Sequence, residues 1–435
     1  MTCANCALVF AAVMLCRATA GAAVRPADKP GMLVVVEAGD YTIRGRTICV
    51  PKTTEVSVYG PHKVFARAEE HVLGDDKPGI FAGGADLKNT MGPIDTYTRL
   101  MHAIDPLSVK VTSAKQGGTV YEEGKDYFLD HDWGGMSRIE NGAIPKGANV
   151  YVDYAVHLER IDAVQVSPDG LVSVKQGKPA PVCPVPPNPD TDCTVLAHIY
   201  VPYRCTRITA DSIRPLPSRD ITWREFIKVS GREHLSRTLG LLKDHKPVNV
   251  VCWGDSVTFG GSSSSPAKCY VEMFRAALKA AYPKSEITLT NAGIGGSSTE
   301  SRRDGYEKEV LAHNPDLITV EFVNDAGLPV EKIASNWAEF ISRARQKNPN
   351  VEFILITPHQ MTPAWMGSFG AAVSAMRKAA TDNKVALADA ANAWANIGKV
   401  GIVYESLLAN GLNHPNDLGH EFFAASIMEL LRSAK

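Results

Sequence analysis

Residues 248–260 read Val-Asn-Val-Val-Cys-Trp-Gly-Asp-Ser-Val-Thr-Phe-Gly. The first six residues form a mostly apolar run, which is typical of a strand buried on both faces of a parallel sheet. Ser256 follows on a tight turn between this strand and a helix, so its hydroxyl is exposed near the positive end of that helix. These are the conditions for a nucleophile that creates an oxyanion. By itself, Gly-Asp-Ser is also an ordinary turn or helix cap.

Strand and helix patterns alternate through the rest of residues 235–435. Leu235, Leu239 and Leu242 share one helical face. The further strand candidates are residues 287–290, 317–323, 351–357 and 385–387. Residues 421–431 are predicted to form the closing helix. This alternation predicts a parallel sheet covered by helices on both faces, which is a three-layer α/β/α domain. Because ligands of such sheets bind at the carboxyl ends of the strands, we expect the functional residues there.

Three of these strand ends carry residues suited to one site. Glycines in residues 291–297 let the backbone approach a substrate and aim an N–H inward. Asn324 ends the third strand, where its side-chain amide is placed to donate to the same oxygen. His414 lies on a loop just before the last helix, at the same edge of the sheet. Taken singly, these are a glycine loop, an Asn-Asp turn and a structural histidine, but their order along the chain indicates one site.

With these four segments, residues 245–430 resemble the SGNH (GDSL-type) hydrolase superfamily, whose blocks carry Ser, Gly, Asn and His in this order. The resemblance implies a flavodoxin-like sheet and acyl transfer through an acyl-enzyme. It implies that Ser256 is the nucleophile and His414 the general base. The oxyanion hole would comprise the N–H groups of Ser256 and Gly296 and the Asn324 amide. Neither a cofactor nor a metal is expected.

Two residues depart from the family pattern. Phe322 stands where the family usually has glycine, two residues before the Asn, and is expected to reshape the acyl pocket. Gly411 stands where the family usually has the triad acid, three residues before the His. Either a Ser-His dyad works with a backbone carbonyl or another carboxylate holding the histidine, or the enzyme is slow or inactive. Three other polar residues near the strand ends are expected to serve as a helix cap or in core and loop roles: Asp417, Asp389 and His359.

Residues 28–213 have a different pattern, with period-two or short apolar runs cut by turns. They predict a β-rich, sandwich-like accessory region, either one large sandwich or two β units meeting near residue 115. Pro168-Asp169-Gly170 predicts a hairpin turn.

Asp130-His131-Asp132 is interpreted as a polar turn rather than a metal site. The region is loosely similar to β modules of tail-fibre and baseplate-type proteins, which implies an attachment or carbohydrate-contacting role. Residues 214–234 are predicted to be a linker and entry helix.

The composition of the 435-residue chain limits the kinds of partner that the protein is expected to bind. With 46 Lys+Arg against 47 Asp+Glu, the formal net charge is −1, so the chain lacks the basic footprint that nucleic-acid binding requires. The 45% hydrophobic content is that of a soluble globular protein. Beyond the N-terminus no apolar run approaches the roughly 20 residues that span a bilayer, so no integral membrane association is expected. The sequence does not define the oligomeric state.

The first 23 residues are predicted to be a cleaved signal peptide. An apolar core over residues 7–15 precedes Ala20-Gly21-Ala22, which fits a signal cleavage site, and a buried N-terminal helix is the alternative. The protein is therefore expected to be secreted or periplasmic. Six cysteines lie beyond this segment, and Cys183 with Cys193 is the predicted disulfide. For each of the others, a free buried thiol is about as plausible.

The leading functional hypothesis is a secreted serine esterase, most specifically a carbohydrate (acetyl) esterase. Its substrate would be an acylated small molecule or polysaccharide, with the β-rich region positioning the enzyme on a polymer. Two alternatives remain open: a lipase or thioesterase of the same superfamily, and a catalytically decayed glycan-binding or structural protein.

Overall fold

A computed structural model describes residues 19–20, 24–81, 83–92, 98–367 and 369–432. The strands are Thr19–Ala20 (β1), Val24–Pro26 (β2), Leu33–Val36 (β3), Gly39–Ile43 (β4), Arg46–Val50 (β5), Thr54–Ser57 (β6), His62–Val72 (β7), Ile104–Thr112 (β8), Val120–Tyr121 (β9), Tyr127–Leu129 (β10), Met136–Arg138 (β11), Asn149–Leu158 (β12), Arg160–Val166 (β13), Val172–Lys175 (β14), Thr194–Val201 (β15), Ile213–Pro215 (β16), Lys228–Ser230 (β17), Val248–Gly254 (β18), Ile287–Gly293 (β19), Leu317–Glu321 (β20), Glu352–Ile356 (β21) and Ala386–Asp389 (β22). The α-helices are Ser236–Lys243 (α1), Ser256–Phe259 (α2), Tyr270–Ala281 (α3), Tyr306–Glu309 (α4), Val330–Lys347 (α5), Pro363–Met366 (α6), Gly370–Asp382 (α7), Ala390–Asn396 (α8) and Asp417–Leu431 (α9).

The C-terminal region is built on a six-stranded sheet in the order β17-β22-β21-β20-β18-β19. Its last five strands are parallel to one another, which confirms the predicted parallel sheet. In chain order they form the 2-1-3-4-5 arrangement of flavodoxin-like sheets. The sixth strand, β17, pairs antiparallel with β22 at the edge. It comes from residues that the sequence predicts to be a linker.

Both faces of this sheet are buried, which explains why its strands are continuous apolar runs. Val250 and Cys252 face the core layer that contains α3 and α9. Val251 and Trp253 point the other way, into the layer that contains α5 and α7. The strand order reverses beside β18, and in open α/β sheets a ligand crevice forms at such a reversal. The loops that follow β18, β19 and β20 therefore meet at one edge.

The N-terminal region is strand-rich, as predicted. It contains two three-stranded sheets, β1-β4-β5 and β2-β3-β6, and the hairpin β10-β11. Two four-stranded sheets, β7-β12-β8-β9 and β14-β13-β15-β16, contribute to its core, and the first of them takes strands from both sides of residue 115. The hairpin predicted at Pro168-Asp169-Gly170 is confirmed, since β13 and β14 pair antiparallel across it.

The disulfide predicted between Cys183 and Cys193 is not formed, since both are free thiols, as are Cys205, Cys252 and Cys269. Cys183 packs against a hydrophobic cluster of the N-terminal region that includes Leu100 and Val182. Burial raises the pKa of its thiol to about 12. A buried, protonated thiol behaves as a small apolar side chain, which is the role Cys183 takes here.

The N-terminal segment predicted to be a signal peptide lies outside the described residues, apart from the short strand β1. Within the parts of the chain that the structure does describe, no helix has the length and apolar character needed to cross a membrane.

The two regions contact each other through side chains close to the carboxyl edge of the parallel sheet. His198 Nδ1 lies 2.7 Å from the Gly401 carbonyl oxygen. A cavity of about 290 Å³, the interface cavity, is bordered by Glu159 and Tyr200 of the N-terminal region and by Glu405 of the C-terminal region. Burial, with the nearby Glu405, raises the pKa of Glu159 to about 8. This carboxyl group is therefore protonated in the folded protein at neutral pH.

Replacing Glu159 with Gln is expected to flatten the pH dependence of stability. In the unfolded chain a glutamate ionises near pH 4.3, whereas folded Glu159 stays protonated until about pH 8. Its contribution to stability is thus fully present below the unfolded pKa and is lost as the pH rises through the folded pKa. Between pH 4.5 and pH 8.5 the wild type should lose on the order of 4 kcal/mol of unfolding free energy that the variant keeps. Urea denaturation at both pH values measures this.

The matched control is Glu140→Gln, because Glu140 is an exposed glutamate in the same region. It should leave the pH dependence unchanged. If Glu159→Gln follows the wild-type curve at both pH values, Glu159 is not protonated in the folded protein.

Candidate active site

The turn after β18 places Ser256 at the first residue of α2. Asp255 caps this helix: one carboxylate oxygen accepts the Val257 N–H at 3.0 Å, and the other accepts the Asn324 N–H, also at 3.0 Å. The same side chain therefore fixes the serine turn relative to the loop after β20. A Cβ at Gly254 would lie 2.2 Å from the Glu321 carbonyl oxygen, so only glycine fits this close approach.

His414 lies beside Ser256, although the two residues are 158 positions apart. Its Nε2 is 2.9 Å from the Ser256 Oγ, within hydrogen-bonding distance, and Ser256 is 7% exposed. At this distance the imidazole can accept the proton of the serine hydroxyl.

Asn410 holds the loop that carries His414. Its fully buried side-chain oxygen accepts three successive backbone N–H groups, those of Leu412, Asn413 and His414, at 2.9 to 3.0 Å. One amide group thus takes the place of regular secondary structure in the loop that carries His414. Sequence reasoning missed Asn410.

The other imidazole nitrogen of His414 faces a serine-rich loop. Ser262 Oγ lies 3.1 Å from Nδ1, on a residue with φ of 60°. Asp417 holds this loop, because its carboxylate accepts the Ser264 N–H at 2.8 Å and the Ser264 hydroxyl at 2.6 Å. Asp417 is also the first residue of α9, where a carboxylate complements the helix dipole, as expected from the sequence. Gly261 packs on the histidine ring, since a Cβ there would lie 2.9 Å from Cε1.

Gly411, at the position where the family's triad acid is expected, is a contact point between the two regions. Its φ is +69°, a conformation that favours glycine. A Cβ at this position would lie 3.0 Å from Val182 and 3.1 Å from Leu100, both in the N-terminal region. The packing of the β-rich region therefore explains why this position carries no side chain.

Introducing the family's acid by Gly411→Asp is expected to destabilise the protein without raising kcat. The positive φ and the two close contacts together should cost about 2 kcal/mol. Thermal unfolding and turnover of p-nitrophenyl acetate measure the two effects. Gly367→Asp is the matched control, because Gly367 also has positive φ (62°) but no atom within 4 Å of its Cβ position. A more active Gly411→Asp variant of unchanged stability would contradict this account of the position.

The proposed oxyanion donors come from the next two strand ends. Gly296 has φ of +70° in the loop after β19. Asn324 Nδ2 donates one N–H to the Ser297 carbonyl at 2.9 Å, which leaves the second N–H of the amide group for a ligand. Both residues border the same cavity as Ser256 and His414.

Arg302 links these loops from behind, and sequence reasoning missed it as well. It is buried, and its guanidinium donates to the carbonyls of Gly254 and Ala292, each at 3.1 Å. Its Nε donates to Glu309 at 2.7 Å, so the charge is paired. An arginine within a loop sequence gives no signal that it will reach two strand ends at once.

Two buried carboxyl groups, those of Asp255 and Glu321, lie behind the serine turn. Burial, with the nearby Asp325, raises the pKa of Asp255 to about 7. Burial, with the nearby Asp255, raises the pKa of Glu321 well above its ordinary value. Glu321 accepts the Thr258 hydroxyl at 3.0 Å. Phe322 is also buried here, with its ring 4.7 Å from that of Trp253. Contrary to expectation, Phe322 therefore belongs to the core and does not line the cavity at Ser256.

The remaining polar residues singled out in the sequence make structural contacts. Buried His359 lies 2.7 Å from the Asn413 carbonyl, and burial lowers its pKa to about 3, which keeps it neutral. Asp389 pairs with Arg377 at 2.9 Å. Asp130 accepts the N–H groups of Asp132 and Trp133, so Asp130-His131-Asp132 forms a polar turn, as predicted. The described residues contain no group of three or more His, Cys, Asp or Glu side chains that could hold a metal ion.

A cavity of about 420 Å³ opens at the serine, and we call it the Ser256 cavity. Both regions contribute to its wall. Its described lining residues are Phe81, Thr98, Ser256, Gly295, Gly296, Asn324, Trp365, Asn413 and His414.

Solved structures with similar folds include a two-domain esterase active on acetylated mannans, at 21% identity and a TM-score of 0.42, with 49% of this chain and 56% of that chain covered. This chain thus spans little more than half the length of that esterase. A GDSL-like lipase from Parabacteroides merdae has 20% identity and a TM-score of 0.38, with 43% and 96% covered. An acetylxylan esterase from Geobacillus stearothermophilus has 19% identity and a TM-score of 0.37, with 43% and 97% covered.

No curated protein sequence matches the chain. A family model, described as the GDSL-like Lipase/Acylhydrolase family, matches residues 252–422. This segment begins within β18 and ends within α9, so it contains the serine turn, both intermediate loops and the histidine loop. Residues 252–422 are therefore a GDSL-like lipase/acylhydrolase domain, an ester hydrolase domain that forms the C-terminal part of the chain.

Proposed function

We propose that the protein is a secreted serine esterase that removes acetyl or similar short acyl groups from carbohydrate. The observation that carries this proposal is the 2.9 Å contact between Ser256 Oγ and His414 Nε2 at the wall of a cavity that Gly296 and Asn324 also border. In this proposal Ser256 is the nucleophile, His414 is the general base, and Gly296 and Asn324 are oxyanion donors.

The reaction proceeds in two acyl transfers. Neutral His414 accepts the proton of Ser256 as the serine oxygen attacks the ester carbonyl carbon. The N–H groups of Ser256 and Gly296 and the Asn324 amide stabilise the tetrahedral oxyanion, each donor lowering the barrier by about 3 kcal/mol. The histidine then protonates the leaving alkoxide, and water, deprotonated by the same histidine, releases the acid and restores the serine.

The lining of the Ser256 cavity favours a short acyl group. A fatty-acyl chain needs an extended aliphatic wall, but the described lining contains no Leu, Ile, Val or Met. Its apolar side chains are the aromatic Phe81 and Trp365, and its polar ones include Thr98, Asn324 and Asn413. Aromatic faces beside a few polar groups suit a sugar, which presents C–H faces and hydroxyl groups together. This composition supports carbohydrate ester over lipid.

The experiment compares p-nitrophenyl acetate, p-nitrophenyl palmitate, acetyl-coenzyme A and acetylated xylo- and manno-oligosaccharides as substrates. We expect hydrolysis of the acetate and of acetylated sugars, all dependent on Ser256. Faster turnover of the palmitate or the thioester would instead indicate a lipase or thioesterase. Glycan binding with no turnover of any substrate would indicate a decayed enzyme with a binding role.

Export is part of the same proposal, and it rests on the apolar core at residues 7–15 followed by Ala20-Gly21-Ala22. Expression of the full chain in a bacterial host, followed by N-terminal sequencing of the exported form, tests it. A mature N-terminus near Val24 supports export. An uncleaved protein retained in the cytoplasm would contradict it.

A further inference from the structure

Three aromatic rings from three separate segments meet beside the Ser256 cavity. Trp365 of α6 stands edge-to-face against Phe81, with ring centroids 6.4 Å apart and an interplanar angle of 82°. It stands in the same way against Trp133, at 6.1 Å and 88°. Phe81 and Trp133 belong to loops of the N-terminal region, so this aromatic cluster joins the two regions. Edge-to-face pairs fix ring orientation and add stability beyond the buried area.

The cluster is continuous with the site of the proposed chemistry. Phe81 and Trp365 line the same cavity as Ser256 and His414. The segment before α6 is also tied directly to the histidine loop, because the Thr362 N–H donates to the Leu412 carbonyl at 2.7 Å. A ligand held on the aromatic cluster is therefore held at a fixed distance from the nucleophile.

Phe81 is 54% exposed, although its ring contacts that of Trp365. Exposed aromatic surface inside a cavity is available to a ligand, and its burial is favourable. The edge-to-face contact immobilises the ring before any ligand arrives, which lowers the entropic cost of binding. The contacting ligand must present an apolar face of about ring size while keeping its other groups in polar surroundings.

We propose that Phe81 and Trp365, supported by Trp133, form a binding platform for the pyranose ring that carries the ester or its neighbour in the chain. This inference rests on the proposed esterase function and assigns substrate selection to a residue of the N-terminal region. A pyranose ring fits because one face presents C–H groups to the aromatic surface while its hydroxyls project sideways. The β-rich region then completes the active-site wall, in addition to any attachment role.

The test is Phe81→Ala, assayed on methyl acetate and on acetylated xylo- and manno-oligosaccharides. Methyl acetate has no ring to place on the platform, so its kcat/KM should fall far less than that of the oligosaccharides. For the oligosaccharide that wild type uses best, kcat/KM should fall about tenfold through KM, which is the scale of one lost aromatic contact. Phe81→Trp should restore it.

Phe65→Ala is the matched control, because Phe65 is 58% exposed in the same region and lies outside the cavity lining. It should leave both kcat/KM values unchanged. Equal losses on both substrates in Phe81→Ala, or no loss on either, would overturn the platform. So would a wild-type enzyme that hydrolyses p-nitrophenyl acetate but none of the acetylated sugars. A wild type inactive on p-nitrophenyl acetate as well as the sugars would instead reject the esterase function itself.

Discussion

Ser256→Ala is expected to lower kcat/KM for p-nitrophenyl acetate by at least about 10³-fold, because no acyl-enzyme forms without the serine oxygen. The oxyanion donors remain, so a residual rate above that of water is expected from transition-state binding alone. The fold should survive, since the side chain removed is small and lies beside a cavity. Steady-state kinetics and the thermal unfolding midpoint together measure the effect.

The matched control for this variant is Ser342→Ala, which removes an exposed hydroxyl from the surface of α5. It should have wild-type activity. Ser256→Ala with more than about a tenth of wild-type kcat/KM would exclude Ser256 as the nucleophile, since removal of a triad nucleophile ordinarily costs several orders of magnitude.

His414→Ala is expected to cause a loss comparable to that of Ser256→Ala. The imidazole is the group 2.9 Å from the serine hydroxyl, and without it no base activates the oxygen. Residues that act as one unit are strongly non-additive, so the double variant should be no slower than either single variant. Kinetics of all three variants on p-nitrophenyl acetate measure this.

His313→Ala is the control here, because His313 is exposed and follows α4 at a distance from the site. Imidazole added to the assay should partly restore His414→Ala and should not restore Ser256→Ala. If the single losses multiply in the double variant, the two residues do not act as one unit.

The C-terminal region could be predicted from sequence because its signals are local. A strand buried on both faces is a continuous apolar run, and the predicted run at residues 248–253 is β18 to within one residue. Since parallel strands end at a common edge, the residues that follow them could be placed together from the strand pattern alone. The structure brings Ser256, Gly296, Asn324 and His414 to one cavity.

What the sequence did not reveal depends on contacts between distant residues. The edge strand β17 is three residues long and forms because β22 offers an open edge. Asn410, Arg302 and Ser262 contribute through hydrogen bonds to loops, which leave no periodic pattern. The packing at Gly411 involves residues more than 200 positions away. In the N-terminal region, short strands joined by many turns indicated the strand-rich class but not which strands pair.

The central claim is that Ser256, activated by His414, is the nucleophile of an ester hydrolase. The most direct measurement is labelling of the intact protein with a fluorophosphonate, followed by tandem mass spectrometry of the modified peptide. The account predicts one adduct, on Ser256, that is absent in Ser256→Ala and forms much more slowly in His414→Ala. An unlabelled wild-type protein, or an adduct that persists in Ser256→Ala, would contradict it.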